Sequence, residues 1–250
     1  MPEEVCPRCG GTGYTIIEKD GLTAAQRCGC ALEKRADSLW RNCRIPANYR
    51  NDKFDNFSNR DSKELAQIQH MLMRYCRDFP NSEPRGLVFI GEPGCGKTHL
   101  AVAVLQRLIE NGFEGVFMDY QNLLDRIRAS YDSMSGESPR EAYSEALEAE
   151  VLLLDDLGAH RVTDWVEDTV TSIFTHRCNE QKATIVTTNL PDPDMGGTLI
   201  ERLPDGAPAR FDVKSTLAEK IGMRARSRLF EMCKIVRMPK VGDYRVATRR

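Results

Sequence analysis

One stretch of sequence decides the fold: GLVFIGEPGCGKTHLAVAVLQRL, residues 86–108, in which an apolar run, a glycine-rich loop and a helical pattern follow one another. Residues 91–98, GEPGCGKT, fit the spacing G-x-x-x-x-G-K-S/T. The glycines let backbone N–H groups turn toward phosphate oxygens, and the following helix adds the partial positive charge of its N-terminus. Because a strand-like run precedes the loop and a helix-like run follows it, we interpret it as a phosphate-binding loop and not as a chance glycine-rich turn.

The loop predicts a site for ATP and Mg²⁺. Lys97 can reach the β- and γ-phosphates, and the Thr98 hydroxyl can ligate Mg²⁺. We expect the nucleotide to be bound by Gly91, Glu92, Pro93, Gly94, Cys95, Gly96, Lys97, Thr98 and His99.

The chain after residue 85 predicts an α/β fold. Short apolar runs alternate there with amphipathic helical patterns, which is typical of a parallel sheet with crossover helices. The runs are residues 86–91, 115–120, 151–156, 184–189 and 233–238. Residues 191–215 are rich in Pro, Gly and Asp and predict a long loop.

The chain divides into three predicted regions. Residues 1–35 are rich in Gly and Cys and predict a small zinc-ribbon-like module. Residues 36–84 predict a helical linker, and residues 85–250 the ATPase domain. Apolar residues of the linker recur at helix spacing: Leu65, Ile68, Leu72 and Tyr75.

Polar side chains end two of the predicted strands. The run VLLL, residues 151–154, predicts a strand buried on both faces, so Asp155 and Asp156 would emerge at the carboxyl edge of the sheet, where ligands bind. We expect Asp155 to hold Mg²⁺, directly or through water, and Asp156 to polarise the attacking water. A helix cap is the alternative for these aspartates. Asn189 is expected to orient water near the γ-phosphate, and the alternative is an ordinary turn asparagine before Pro191.

Nine cysteines are unevenly placed, and the N-terminus holds two close pairs, Cys6-Pro-Arg-Cys9 and Cys28-Gly-Cys30. Two thiolate pairs on tight turns suit tetrahedral Zn²⁺, and metal binding would supply folding energy that this core-poor segment lacks. We therefore predict these four cysteines as zinc ligands. Cys43 is an alternative ligand because the second pair is unusually tight. A redox dithiol or unpaired surface thiols are the other interpretations.

Bulk composition limits the possible functions. The formal net charge is −2, so no global basic field indicates nucleic acid, and any DNA contact would need a local basic patch. No stretch approaches the roughly 18–20 apolar residues that span a bilayer, and residues 1–10 lack the order of a signal peptide. We expect a cytoplasmic protein with no membrane partner.

The motifs together resemble one branch of the AAA+ ATPases, the DnaC/DnaI-type replicative helicase loaders and the IstB-type transposition ATPases. The resemblance covers residues 45–250 and rests on these segments: IPANYRNDKFDNF, GEPGCGKTHLA, LLLDDLGAHRVTDW, TIVTTNL, MRARSRLFEMCKIVRM and a terminal GDYR. It implies a P-loop AAA+ sheet of five parallel strands in the order 5-1-4-3-2. Helices would flank the sheet, and a C-terminal helical lid would be absent.

The resemblance also implies roles for arginines. It places the finger that completes a neighbour's ATP site at Arg228, with Arg224 as the alternative, and a nucleotide sensor in cis at Arg245. A guanidinium at such a site neutralises charge that spreads over the γ-phosphoryl oxygens. The other interpretation is that Arg224, Arg226 and Arg228 form a solvated basic helix face.

The implied activity is ATP hydrolysis, weak without partners, with ATP-dependent self-association and loading of a hexameric replicative helicase. A transposase is the alternative partner, and the predicted zinc module favours a loader because IstB-type proteins generally lack one. The resemblance further implies a single-stranded DNA contact at Arg126 and Arg128, with Tyr131 stacking on a base. The alternative is a solvated charged helix beside Asp125 and Asp132.

Overall fold

The computed structural model describes residues 6–19, 22–59, 62–132, 140–160, 162–192, 215–242 and 244. A small N-terminal module precedes a five-stranded parallel sheet. Most of the predicted long loop, residues 193–214, lies outside the described residues, and so does Arg245. Residues 243 and 245–250, which bear on the expected absence of a helical lid, also lie outside the described residues.

The N-terminal module contains an antiparallel hairpin and a helix. Strands β1 (Tyr14–Lys19) and β2 (Leu22–Arg27) pair with Tyr14 opposite Arg27. The β-branched run Thr-Ile-Ile within β1 favours the extended conformation. Helix α1 (Gly29–Asn42) follows directly and leads the chain toward the sheet.

The sheet confirms the predicted topology. Its strands are β3 (Gly86–Ile90), β4 (Gly115–Asp119), β5 (Val151–Asp155), β6 (Ala183–Thr188) and β7 (Cys233–Arg237). They are parallel in the order β4-β5-β6-β3-β7, which is the expected 5-1-4-3-2 read from the opposite edge. Each strand ends one residue before the end of the predicted apolar run. Asp156 and Asn189 therefore lie just beyond the ends of β5 and β6.

Helices cover both faces of this sheet. They are α2 (Lys63–Asp78), α3 (Lys97–Glu110), α4 (Tyr120–Asp132), α5 (Arg140–Glu148), α6 (Asp164–Asn179), α7 (Leu217–Ile221) and α8 (Met223–Met232). Alternate residues of one strand enter different cores: Leu87 and Phe89 pack with α2 and α3, whereas Val88 packs with α4 to α8. This alternation is the period of two that a strand imposes, here with both faces buried.

The predicted linker packs into the core of the ATPase domain. Ile45, Phe54 and Leu72 are at most 3% exposed and belong to the same apolar cluster as Leu87. The chain at Cys43 also joins the sheet, because its carbonyl accepts a 2.8 Å hydrogen bond from the backbone N–H of Phe117 in β4. Residues 43–79 therefore form an outer layer over α3, which is why α3 is buried on almost every side.

No helix within the described ranges combines the length and the apolar character of a membrane span.

A buried arginine links helix ends to the sheet. The Arg177 side chain in α6 is fully buried, and its Nη1 donates to the carbonyls of Ala146 (3.0 Å) and Ala149 (2.9 Å). Its Nη2 donates to the Ala183 carbonyl at 2.5 Å and its Nε to Thr184 Oγ1 at 2.8 Å. One guanidinium thus satisfies carbonyls at the end of α5 and at the start of β6.

We predict that Arg177→Met lowers the free energy of unfolding by about 3 kcal/mol or more, because each unpaired buried carbonyl costs roughly 1–3 kcal/mol. Urea unfolding measures the change. The control is Arg74→Met, since Arg74 is 76% exposed and pairs with Asp78 on the surface; its effect should stay within about 0.5 kcal/mol. If Arg177→Met lowered the free energy of unfolding by no more than the control does, the stabilising role of Arg177 would be contradicted.

Candidate nucleotide-binding site

The glycine-rich loop adopts a conformation that its glycines make possible. Gly94 and Gly96 have φ values of 75° and 95°, in the left-handed region that residues with a Cβ rarely occupy. A Cβ placed on Gly96 would also lie 2.8 Å from Phe57 Cε2. The loop leads into α3 with Gly96 as the N-cap, so the first free N–H groups of that helix face the loop.

Lys97 lies in the pocket beside the glycine-rich loop, and its contact with phosphate stays a prediction. Its side chain lines a pocket of about 390 Å³, and its Nζ donates to the Gly91 and Glu92 carbonyls, both at 2.9 Å. These contacts fold the ammonium back over its own loop. The pocket is also lined by Pro93, Gly94, Cys95, Gly96, Thr98 and His99 of the predicted set.

A buried carboxylate connects the loop to the sheet. Asp155 Oδ1, at the end of β5, accepts hydrogen bonds from Thr98 Oγ1 at 3.0 Å and from Thr187 Oγ1 at 2.6 Å. Thr187 Oγ1 in turn accepts the backbone N–H of Asp156 at 3.0 Å. The structure thus brings both predicted magnesium ligands, Thr98 and Asp155, into direct contact.

Burial raises the pKa of Asp155, and the hydroxyls of Thr187 and Thr98 partly offset that rise. The charges of Asp156 and Asp119 act in the same direction as burial. A divalent cation at this edge would reverse the effect, because it favours the ionised carboxylate. Oxygen donors from a hydroxyl and a carboxylate are the ligands that Mg²⁺ takes, so the residues present fit the predicted ion.

Asp156 and Asn189 both line the same pocket as Lys97. Asp156 is exposed and has a φ of 55°, a left-handed conformation that aspartate tolerates better than most residues. Asn189 is exposed just beyond β6. Two polar side chains from neighbouring strand ends therefore line the pocket beside the glycine-rich loop, and their roles toward water stay predictions.

A wall of the pocket comes from residues that the motif analysis did not assign. The segment before α2 and the chain after β7 contribute Asn48, Tyr49, Asp52, Phe57, Ser58, Val241 and Tyr244. The backbone N–H of Tyr244 donates to the Gly94 carbonyl at 3.1 Å, which holds the C-terminal chain against the phosphate loop. The similarity of IPANYRNDKFDNF to loader sequences was the signal for this wall, but nothing in that segment specified where it packs.

His99 anchors this wall to α3. Its Nε2 lies 2.9 Å from the Lys53 carbonyl, its Nδ1 lies 3.7 Å from Asp52 Oδ1, and its ring meets Phe57 edge-on at 5.2 Å. Burial raises the pKa of Asp52, and the neighbouring His99 opposes this rise. His99 therefore holds residues 52–57 against α3, in addition to lining the nucleotide pocket.

The arginines of α8 have different surroundings. Arg228 is half-buried and its Nη1 pairs with Glu231 Oε2 at 2.7 Å, while Arg224 is exposed. Neither lines the described part of the nucleotide pocket. Arg226 makes a bidentate contact with the fully buried carboxylate of Asp192, at 2.5 and 2.6 Å, so α8 is tied to the chain that follows Asn189.

The arginines of α4 lie on its exposed side. Arg126 is exposed, and the Arg128 guanidinium lies 4.8 Å from the ring centroid of Trp165. The side chain of Tyr131 lies outside the described residues.

The N-terminal cysteines form one cluster. The Sγ atoms of Cys6, Cys9, Cys28 and Cys30 all lie within 4.8 Å of one another. Cys6 and Cys28 are 3.9 Å apart, and Cys9 and Cys30 are 3.4 Å apart. Tetrahedral Zn²⁺ with Zn–S bonds of about 2.3 Å requires S···S separations of about 3.8 Å, so the cluster fits that ion.

The backbone around the cluster also favours thiolates. The Gly13 N–H donates to Cys9 Sγ at 3.3 Å; this bond is the largest cause that lowers the pKa of Cys9 to about 6, with hydrogen bonds from Cys30 and Gly11 adding to it and burial opposing it. The Cys43 alternative is wrong: its side chain is 4% exposed in the core of the sheet, and its Sγ donates to the Trp40 carbonyl at 3.0 Å. Tight pairing of Cys28 and Cys30 is accommodated because α1 begins between them.

Comparisons with known proteins agree on one family. The sequence model of the IstB-like ATP binding proteins matches residues 32–200. The YdaV protein of Escherichia coli strain K12 is 30% identical over 142 residues, which cover 57% of this chain and 53% of YdaV. The replicative helicase loader DnaI of Bacillus subtilis strain 168 is 25% identical over 163 residues, which cover 65% of this chain and 51% of DnaI. The chain thus spans about half the length of these relatives.

Solved structures share the fold. A crystal structure of the DnaC helicase loader superposes with a TM-score of 0.62 and 28% identity, over 78% of this chain and 100% of that one. DnaI gives a TM-score of 0.60 at 17% identity, over 79% of this chain and 96% of that one. The second likeness is evidence for the fold alone.

We predict that Asp155→Asn leaves the nucleotide-free protein at least as stable as the wild type while the gain in ATP affinity on adding Mg²⁺ disappears. Because the folded-state pKa of Asp155 is raised above 3.8, the folded protein binds the extra proton, and wild-type stability falls as pH rises through that interval. The variant should lack this part of the pH dependence. Thermal unfolding against pH and nucleotide titration with and without Mg²⁺ measure both effects.

Asp168→Asn is the matched control, since Asp168 is exposed on α6 and should change neither readout. Full retention of the Mg²⁺ effect in Asp155→Asn would contradict the ligand assignment.

Proposed function

Because the chain belongs to the IstB-like ATP binding protein family, we propose that it is a P-loop ATPase whose nucleotide state controls the loading of a hexameric replicative DNA helicase. The ATPase part rests on one observation, the 3.0 Å hydrogen bond between Thr98 and Asp155 beside the phosphate loop. The loader part rests on relatives named as helicase loaders.

In the proposed reaction, Thr98 and Asp155 would hold Mg²⁺, which would supply positive charge to neutralise the phosphates. Lys97 leaves the carbonyls of its own loop and donates to the β- and γ-phosphate oxygens. Asp156 accepts a hydrogen bond from the attacking water, and Asn189 orients that water. Both side chains line the pocket that contains Lys97, which supports this division of roles.

The proposed arginine finger acts on a neighbouring subunit. Arg228 is absent from the described lining of its own pocket and lies on α8, where Met223 is 65% exposed. To reach a neighbour's γ-phosphate, the guanidinium would exchange Glu231 for phosphate oxygens. ATP would therefore favour self-association, because the phosphate supplies the counter-charge across the subunit interface.

The N-terminal module is proposed to be the helicase-binding part. Cys6, Cys9, Cys28 and Cys30 would hold Zn²⁺, which supplies folding energy to a segment with few buried apolar side chains. The hairpin also presents Ile16, 79% exposed, and Tyr14, 53% exposed, on the same side of β1. Exposed apolar residues on a metal-stabilised hairpin support a protein partner for this module.

Single-stranded DNA is the proposed nucleic-acid partner. Arg126 is exposed on α4 and could neutralise a phosphate, whereas Arg128 already contacts Trp165. A transposase is the second candidate partner, because the matching family carries the IstB-like description.

We predict that Lys97→Ala and Arg228→Ala each abolish partner-stimulated turnover, and that mixing the two variants restores part of it. In the mixture, a Lys97→Ala subunit supplies its intact Arg228 to the nucleotide site of an Arg228→Ala subunit, whose phosphate loop is intact. Loss of the finger alone should lower turnover by roughly 10³-fold or more. Phosphate release with single-stranded DNA present measures the rate.

Arg224→Ala tests the alternative finger, and Arg74→Ala is a surface control that should leave turnover unchanged. If the mixture stays inactive while each variant remains soluble and Arg228→Ala still binds ATP, action between subunits is excluded.

We predict that Cys9→Ser removes bound zinc, about one equivalent per chain, and abolishes capture of the host's replicative helicase while ATP affinity is retained. Cys178→Ser is the matched control, because Cys178 is partly exposed and outside the cluster. Zinc analysis and co-purification in ATP and in ADP provide the measurements. Capture of a transposase and not of the helicase would favour the second candidate partner.

A further inference from the structure

A second cleft lies away from the phosphate loop. It has a volume of about 710 Å³ and is lined by Asp37, Trp40, Arg41, Cys43, Arg44, Ile45 and Arg50. We propose that this cleft binds single-stranded nucleic acid, with one base stacked on Trp40 and phosphates paired with Arg41, Arg44 and Arg50. The proposal rests on the proposed function in one respect, the choice of single-stranded DNA as partner, and it assigns that partner a new site.

Three arginines and one aspartate line the cleft, so its charged lining residues sum to a formal charge of +2. Arg41 Nε donates to the Asp37 carbonyl at 3.3 Å, and Arg50 Nε donates to the Ile45 carbonyl at 3.4 Å. Neither guanidinium has a carboxylate within ion-pair distance among the described residues. Backbone carbonyls orient these side chains without cancelling their charge, so each retains its attraction for a phosphate.

Arg44 is held in an uncommon conformation. Its φ is 54°, a left-handed value that costs a residue with a Cβ about 1–2 kcal/mol. Its Nη1 lies 2.8 Å from Glu145 Oε2, yet that oxygen has no hydrogen bond of good geometry within the described structure. This ion pair orients the guanidinium and offsets part of its charge.

Trp40 supplies a flat surface beside these cations. It is 36% exposed, although it belongs to the helix that leads into the core. Base–aromatic stacking contributes roughly 1–3 kcal/mol per base and needs an unpaired base. A tryptophan among arginines thus favours a single strand, because the bases of a duplex are already stacked and paired.

Glu145 on α5 connects the cleft with α4, because it lies 2.8 Å from Arg44 and α5 packs against α4. Burial raises the pKa of Glu145, and the charges of Arg44 and then Arg126 oppose this rise. Glu145 therefore lies between the cleft and α4, close enough to both arginines to feel their charges. A strand could pass from Arg126 over this carboxylate into the cleft, with a cation on either side of it.

The cleft also shares a turn with the nucleotide pocket. Gln106 Nε2 donates to the carbonyls of Tyr49 and Arg50, both at 3.2 Å. Tyr49 lines the nucleotide pocket, and the next residue, Arg50, lines the cleft. A movement of this turn on ATP binding would therefore change the position of a phosphate-binding arginine.

Trp40 offers a direct probe, because the chain has only two tryptophans. In a Trp165→Phe background, adding oligothymidylate should quench the remaining fluorescence in a saturable way. Anisotropy of a labelled oligothymidylate should show that Trp40→Ala weakens binding by about 5- to 150-fold, and that Trp40→Phe weakens it less. Arg41→Gln should reduce the slope of log affinity against log salt by about one.

Arg77→Gln is the matched control, since Arg77 is 74% exposed on α2 and carries the same charge change away from the cleft. Unchanged ATP affinity in each variant reports an intact fold. The proposal is overturned if oligothymidylate binds without affecting Trp40, if Trp40→Ala and Arg41→Gln bind like Arg77→Gln, or if duplex DNA binds equally well.

The cleft and the proposed function fail in different ways. Binding that is lost in Arg126→Gln but kept in Trp40→Ala would remove the cleft and leave DNA as a partner. A wild-type protein that binds ATP but no oligothymidylate would remove both the cleft and the DNA part of the proposed function.

Discussion

A carboxylate held by two threonine hydroxyls is the contact on which the nucleotide site depends. Asp155 receives hydrogen bonds from Thr98, at the start of α3, and from Thr187, at the end of β6. Burying a carboxylate is unfavourable unless it is paired, and these hydroxyls compensate only in part because burial still raises its pKa. The arrangement requires β5 and β6 to be neighbours with α3 starting beside them. The site can therefore form only in a sheet with this strand order.

The segment ahead of the sheet has a matching role. Residues 43–57 are seated on α3 by the apolar contacts of Ile45 and Phe54 and by the two hydrogen bonds from Gln106. This seating completes the pocket opposite the phosphate loop and at the same time forms one side of the arginine-rich cleft. The proposed nucleotide site and the proposed nucleic-acid site are therefore separated by a packed segment and not by a flexible linker. The two sites share one turn, with Tyr49 lining the nucleotide pocket and Arg50 lining the cleft.

The sequence predicted the site where the chemistry is local. Glycine spacing, a preceding apolar run and a following helix specify the phosphate loop within some twenty residues, and the strand VLLLD places its carboxylate at the sheet edge. Thr187, Phe57 and the Arg226–Asp192 pair were missed, since each acts on a partner at least 30 residues away. Cys43 stayed open as an alternative ligand for the same reason: a buried thiol and a metal-binding thiol look alike in sequence until the fold shows which neighbours surround them.

By itself, the sequence determined the α/β class, the phosphate loop, the cysteine pairs and, through family resemblance, the strand order. These features follow from residue type at short spacing, where backbone sterics and side-chain periodicity act directly. Only the tertiary structure decided which distant side chains meet: Thr187 with Asp155, residues 48–58 with the phosphate loop, and Arg44 of the second cleft with Glu145. The reason is that packing between distant segments depends on the summed burial of many weak contacts, which no short motif records.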